Sequence, residues 1–549
     1  MTSKKQFVRQ SPDNTIAIHS FNRIGLIWRT VRHLSGWQIM HLVWHRLRGR
    51  ARLTFSSRLR QGHFLQVPDA DKPVSWQSGT FTFLNQSVSF LPWINWNFSQ
   101  SGKLWTYHLN YFDFLNQPHI SQSGGLRLIR DFIAQTPWLK DGLEAYPTSI
   151  RIVNWIYFLS RHQIQDDVVN RHLFAQATLL NRRIEYHLGG NHVIENGTAL
   201  LTAGLFFRYM HWLGKAERLL RKELSGQVLP DGGHDERSPV YHQLLLNRLL
   251  DTLTVLRADA WYDNADFILF LSVTASRMLA WLSAVTFRNG DVPMMNDSAV
   301  EMAPSTPQLL NKARTVLSGS VWQENRLQES GFRMFRQNRY ELLANVGGIG
   351  KAYRSGHAHA DTFSFVLYVD DQPILVDAGT STYEVSKQRL WERSTEAHNT
   401  VTIKDRNSSE VWASFRVGRR ATVSLQVDSE TELTAWHDGY RRVDVLHQRT
   451  WLIAPDRILI TDTLLNTHTQ TVAGQRGTAR FHFHPGIALQ LIGDTIQADS
   501  IKINVKSDTK PTYHVSTFSR AEGFNRLIPG QCLEVVFTDR LETSFLLSG

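Results

Sequence analysis

Residues 356–380 read GHAHADTFSFVLYVDDQPILVDAGT. An apolar run from Phe363 to Val369, a turn at Asp370-Asp371-Gln372 and a second run closing at Asp377 predict two paired strands. Just before them His357, His359 and Asp361 alternate, and alternation in a strand puts all three side chains on one face. A strand that gives three same-face positions to His, His and Asp needs a metal or an anionic ligand to justify them. With His398 farther on, His359, Asp377 and His398 make a His/Asp/His set drawn from different strands. Zinc and similar cations accept such nitrogen and oxygen donors. The alternative is a hydrogen-bonded polar patch at a domain interface.

The same texture runs on from this hairpin. NTVTIKD (399–405), ATVSLQV (421–427), RILITDTLL (457–465), ARFHFHP (479–485) and IKINVKS (501–507) are short, alternating and rich in β-branched residues. They predict an antiparallel β-sandwich over 321–549. Upstream, from Gly125 to Val285, the apolar period is helical. Segments at Leu126–Ile133, Ser149–Gln163, Val168–Tyr186, Val193–Trp212, His242–Leu256 and Asp266–Val285, joined by short turns, predict stacked helix pairs in a solenoid or an α/α toroid over 76–320. The fold class is therefore multidomain α + β, an incomplete α/α barrel followed by a sandwich. Trp93, Trp96 and Trp105 fall in irregular sequence and are candidate sugar-stacking platforms.

The charge is concentrated at the start of the chain. Residues 1–60 carry twelve Lys or Arg and one acid, Asp13, which accounts for the whole net charge of +11; the rest holds 48 basic and 48 acidic residues. Residues 1–75 thus form a basic helical arm. Two readings stand: a basic amphipathic helix on an anionic membrane surface, or a solvated arm packed on the body through Trp28, Trp37 and Trp44. Nucleic acid is not an expected partner, because no helix-turn-helix, zinc-finger or RNA-binding motif is present. A single cysteine excludes a disulfide framework and a multi-Cys zinc site. The longest apolar runs look too short and interrupted to span a bilayer. No uninterrupted apolar core marks residues 1–20 as a secretory signal, so a cytoplasmic or inner-membrane-associated location is expected, with the periplasm as the other option.

Two polar constellations lie in the helical half. Gly189-Gly190-Asn191-His192 precedes a helix, with His192 and Glu195 three apart on one face; Asn191 as a plain N-cap is the simpler reading. Asp231–His242 enters a helix at Ser238-Pro239, which puts Tyr241 in the first turn, where the helix dipole favours a tyrosinate. Tyr241 as a packing residue fits the spacing equally.

Taken in order, YPTSIRIVNW (146–155), NHVIENG (191–197), DGGHDERSPVYHQ (231–243), HAHADTFSF (357–365), LVDAGTSTY (375–383) and EAHNTV (396–401) resemble the heparinase II/III superfamily of polysaccharide lyases. The resemblance implies a toroid plus sandwich, and β-elimination on a uronic-acid-containing, anionic polysaccharide, either bacterial exo- or capsular polymer or one like a glycosaminoglycan. It implies Asn191 as carboxylate neutraliser, His192 as neutraliser or base, and Tyr241 as general acid and candidate base. Arg151, Asn154, Glu195, Glu236, Arg237 and His357 become expected substrate contacts. His359, Asp377 and His398 become ligands of a structural divalent cation, zinc or calcium. A non-catalytic polysaccharide-binding component of an exopolysaccharide synthesis system and a toroid-fold glycoside hydrolase are the alternatives.

Overall fold

The computed structural model describes residues 20–69, 72–317, 327–350, 355–467, 474–492 and 495–547. The basic leader before residue 20 and the expected domain boundary at 320/321 lie outside the described residues. The first described elements are α1 (Ser20–Val31) and α2 (Gly36–Leu47); residues 51–69 and 72–75 then form neither helix nor strand. The arm is therefore helical over only part of its length. Its non-helical part is tied to the helical body, for example by His63 N–H donating to the Phe206 carbonyl at 2.7 Å.

Among the described residues before 320, nine more α-helices follow: α3 (Lys103–Tyr111), α4 (Gln122–Gln135), α5 (Ala145–Arg161), α6 (Asp167–Arg182), α7 (Gly190–Phe206), α8 (Met210–Gln227), α9 (Pro239–Ala258), α10 (Ala265–Val285) and α11 (Thr306–Val316). A small three-stranded antiparallel sheet at 76–89 precedes α3. Local chemistry sets the starts. Ser121, Asp166, Ser238, Asn264 and Ser305 each accept a backbone N–H of the first turn. The single helix expected over Val193–Trp212 is two. Arg208 turns the chain with a φ of 51°, and Tyr209 N–H closes on the Gly204 carbonyl. Phe206, Phe207 and Trp212 bury into the same core on either side of the turn, so the apolar period runs across it undisturbed. Among the described residues α10 is long and apolar enough to cross a membrane, against the expectation from run length. Its Phe267, Leu271, Ala275, Met278 and Leu282 are core residues of the helical half.

The second half is antiparallel. An eight-stranded sheet runs in the spatial order 423–428, 432–437, 446–454, 457–465, 540–547, 501–507, 495–498, 489–492. A four-stranded sheet joins 512–523, 526–538, 476–482 and 401–403, and another joins 332–336, 340–345, 365–369 and 372–375. One buried cluster takes Trp451, Ile460 and Phe545 from the first sheet, Phe481 and Leu533 from the second, and Leu342 and Phe365 from the third. Inside it Arg449 grips Asp462 with Nε and Nη2 at 2.7 and 2.9 Å, and Nη1 donates to the carbonyls of Phe363 and Asn399 at 2.8 Å each. This ion pair pins the loops that carry His359 and His398 onto the large sheet.

Two sequence expectations change here. The strand begins at Phe365, so His357, His359 and Asp361 sit in a loop and their common direction does not come from strand alternation. Asp361 turns to Asn345, which donates to it at 2.9 Å. Trp96 and Trp105 are fully buried in an aromatic cluster with Phe112 and Phe83 and offer no sugar platform, whereas Trp93 is 75% exposed.

Candidate active site

The helical half supplies one wall. Gly189 and Gly190 both have positive φ, 68° and 58°, and a Cβ on Gly190 would lie 2.3 Å from Glu236 Oε1. Only glycine lets this turn close on Glu236. Asn191 N–H then donates to Glu236 Oε1 at 3.4 Å. His192 places its ring 4.3 Å from that of Tyr146 and its Nδ1 3.0 Å from Glu185 Oε2. Burial opposes a charged imidazole, but Glu185, supported by Glu236 and Glu195, outweighs it and raises the His192 pKa.

A test follows from that sign. With a raised folded pKa, His192 keeps its charge, and the stability from its pair with Glu185, at pH below the usual value near 6.5; both disappear as pH rises through the higher folded pKa. Glu185→Gln is expected to lower the His192 pKa, so that the ring loses its proton at lower pH. An NMR titration of the ring in both proteins checks this, and an unmoved titration would show that Glu185 does not hold the charge.

Tyr241 stands in the first turn of α9, where its own N–H is taken by the Ser238 cap at 3.3 Å. Burial, then the neighbouring Tyr383, pushes its phenol pKa well above the usual value. Both work against the dipole-stabilised tyrosinate expected from the sequence and favour the protonated phenol. Tyr241 Oη lies 3.1 Å from Tyr383 Oη, and its ring is 4.0 Å from the ring of His357. Both partners come from the second half of the chain.

His357 is oriented from behind. Its Nδ1 donates to Asp297 Oδ2 at 2.9 Å, while its Nε2 faces Glu236 Oε2 at 3.8 Å. Asp297 is fully buried and also accepts from His359 Nε2 at 2.9 Å and from Arg389 at 2.5 and 2.7 Å. Burial alone would raise that carboxyl; Arg389 and the two histidines override it and hold the pKa well below the ordinary range. Glu236 thus touches both walls, and Asn191, His192, Tyr241, Glu236 and His357 form one cluster across the two halves.

Other expected contacts lie elsewhere. Arg151 is wholly buried and donates to Gln176, to the Asn110 and Gly142 carbonyls and to Thr148. Asn154 bonds Asn116, Asp113 and the Tyr111 carbonyl. Both hold helices together rather than face a substrate. Glu195 is paired with Arg248 at 3.0 Å. Arg237 turns from Tyr241 to the Gly348 carbonyl and lines a cavity of about 620 Å³ with Arg32, His33 and Arg420.

His398 Nδ1 lies 2.8 Å from Asp377 Oδ2, and its ring is 5.4 Å from that of His359. Two buried ring nitrogens, His359 Nδ1 and His398 Nε2, have no hydrogen-bond partner among the described residues. That is donor chemistry suited to a cation. Among the described residues, however, no three His, Cys, Asp or Glu side chains are gathered as a metal cage gathers them. Asp297, Arg389, Tyr383 and Glu185 were not singled out from the sequence as site residues. Tyr383 closes the LVDAGTSTY stretch, and the other three carry no local signal.

The heparinase II/III N-terminus model matches residues 145–320, and the heparinase II/III-like C-terminal model matches 321–538. The chain belongs to the heparinase II/III family. This heparinase-family chain is 25% identical over 250 residues to a heparin-sulfate lyase of Bacteroides stercoris, a match covering 40% of this chain and 37% of that protein. It is 24% identical over 277 residues to one of Pedobacter heparinus, covering 46% and 39%. The match thus spans well under half the length of these relatives. Among solved structures, Heparinase III superposes with a TM-score of 0.64 at 17% identity, over 93% of this chain and 90% of that one. Heparan sulfate lyase HepC from Pedobacter heparinus gives 0.56 at 14% identity, over 93% and 88%. These superpositions establish a shared fold for the heparinase-family chain: helices first, antiparallel sheets after.

Proposed function

We propose that the protein is a polysaccharide lyase that cleaves a uronate-containing polymer by β-elimination, in a cleft between an α/α toroid and a β-sandwich. The observation that carries this reading is the Tyr241–His357 pair, ring centroids 4.0 Å apart, with Asp297 bonded to His357 from behind. Elimination removes the proton from the carbon next to the uronate carboxylate, and those electrons form the C4–C5 double bond as the C4–O bond breaks. The carboxylate must first be neutralised so that the developing enolate is tolerable. His192, held as a cation by Glu185, does this with Asn191 beside it. Asp297 keeps a proton on His357 Nδ1, which leaves Nε2 as the lone-pair base. Tyr241, kept protonated by burial, gives its proton to the departing oxygen. Acid and base lie on one side, which suits a syn elimination. The proton taken up by His357 returns to the Tyr241 phenolate through solvent, and both groups are reset.

The names of the relatives support an anionic, uronate-bearing substrate. A glycosaminoglycan and a bacterial capsular or exopolysaccharide both meet that chemistry. The test is incubation with heparan sulfate, chondroitin, hyaluronan and alginate while following the near-ultraviolet absorbance of the unsaturated product. Sugar release without that absorbance would assign a hydrolase; binding with no turnover on any polymer would assign a non-catalytic binding component. A hydrolase needs two carboxylates across the cleft. Here Glu185 and Glu195 are committed to His192 and Arg248, which argues against it.

The proposal includes a structural divalent cation on His359, Asp377 and His398, supported by the two unpartnered ring nitrogens. It would tie the loop before Phe365 to the one after Glu396 and takes no part in the proton transfers. Elemental analysis is expected to find about one zinc or calcium per chain, and a chelator is expected to lower the thermal midpoint. Metal-free protein indifferent to chelator overturns this part and leaves the lyase reading standing.

A further inference from the structure

The two N-terminal helices are inside out. In α2 the side chains turned to the body are mostly polar: beside half-buried Leu42, Gln38 is buried, His41 packs against Tyr186 with ring centroids 4.9 Å apart, and His45 stacks on His187 at 4.1 Å. In α1 Arg29 grips Glu410 at 2.7 and 2.8 Å, and Thr30 accepts from Trp412 Nε1 at 3.0 Å. The large apolar side chains point the other way. Ile24, Ile27 and Trp28 share one face of α1, and Trp37, Met40, Trp44 and Leu47 share one face of α2. All are exposed, between 45% and 72%. Trp28 and Trp44 therefore do not pack the arm on the body, as one reading of the sequence expected, whereas Trp37, half exposed, sets the edge of its ring against Tyr186 with centroids 6.2 Å apart. A helix ordinarily buries its apolar stripe; these two are seated by polar bonds and present theirs to the outside.

The surroundings indicate what covers that face. Between Asp13 and Asp69 there is no acidic residue, while Arg29, Arg32, Arg46, Arg48, Arg50 and Arg52 fall within the arm. Arg32, just after α1, and Arg46, in the last turn of α2, are both exposed. Exposed aromatic and aliphatic side chains on an arm that also carries exposed arginines and no acid match the interface of an anionic bilayer, tryptophan at headgroup depth and arginine on phosphate. Ile24, Met40 and Leu47 are suited to acyl chains and have no ring to stack on a sugar.

We propose that α1 and α2 dock the protein on an anionic lipid surface through this face. Docking holds the site close to the membrane. Gln38 lies against Gly189, whose Cβ position is 3.6 Å from Gln38 Nε2, and Gly189 begins the turn that carries Asn191 and His192.

The experiment uses the full chain and phosphatidylcholine vesicles with or without phosphatidylglycerol. The protein is expected to sediment with the anionic vesicles roughly tenfold more strongly than with the neutral ones, and raised salt is expected to weaken this. The variant Trp28→Ser/Trp37→Ser/Trp44→Ser is expected to lose binding about tenfold or more with an unchanged thermal midpoint. Arg32→Glu/Arg46→Glu is expected to lose only the preference for phosphatidylglycerol. Equal binding to both vesicles, or wild-type binding by the triple variant, overturns the proposal. So does a dimer in sedimentation equilibrium that the triple variant splits, which would make the face an interface between copies. Retention of an anionic polysaccharide that the triple variant abolishes would assign the face to polymer instead.

Discussion

Tyr241→Phe is expected to lower kcat on a uronate polymer by roughly 10²–10⁴-fold while leaving KM and the fold nearly unchanged. Among the described residues the hydroxyl bonds Tyr383 Oη at 3.1 Å, so its removal costs one hydrogen bond between neutral groups, about 1 kcal/mol. The ring stays in place, tilted against that of His357 with centroids 4.0 Å apart. What disappears is the proton that burial keeps on the phenol. A substrate with a better leaving group at C4 needs that proton less, so the gap between Tyr241→Phe and wild type is expected to narrow on it. Tyr383→Phe is the control. It deletes the other half of the same hydrogen bond but keeps the Tyr241 proton, so its loss is expected to be far smaller. Equal losses in the two variants would move the acid to Tyr383 and overturn the assignment.

How much of this was legible depends on how local each signal was. Arg457–Leu465 and Ile501–Ser507 appear as strands over the expected residues, because one buried face stamps a period of two on the sequence. The α7–α8 break left no mark, since the turn at Arg208 used neither glycine nor proline and both helices bury into one core. Tyr241 and His357 could be singled out because each sits in a dense polar run. Arg151 misled for the opposite reason: an arginine on a helix face gives the same sequence signal whether its guanidinium meets a sugar or, as here, neighbouring carbonyls. Asp297 was invisible. It lies in MMNDSAV, in a short Asn-Asp-Ser run without period or a titratable neighbour, and its partners His357 and Arg389 are 60 and 92 residues away.

Asp297 joins the stability of the fold to the chemistry, and two variants separate the roles. Asp297→Ala strands the fully buried Arg389 guanidinium, whose charge partner is that carboxylate. An uncompensated buried charge costs about 3–5 kcal/mol, read as a lower midpoint in denaturant, and activity falls with it. Asp297→Asn keeps the volume and part of the bonding but presents an amide to His357 Nδ1. Its NH₂ can donate there and draw the ring proton to Nε2, which removes the lone pair the base needs. A wrong tautomer behind a catalytic histidine costs on the order of 10⁴ in kcat. Combining Asp297→Asn with Arg389→Met replaces the buried ion pair with matched apolar and neutral groups, a change often neutral for stability. The double variant is therefore expected to regain most of the denaturation midpoint and none of the activity. If turnover returns together with stability, Asp297 serves the fold alone and His357 takes its orientation from elsewhere.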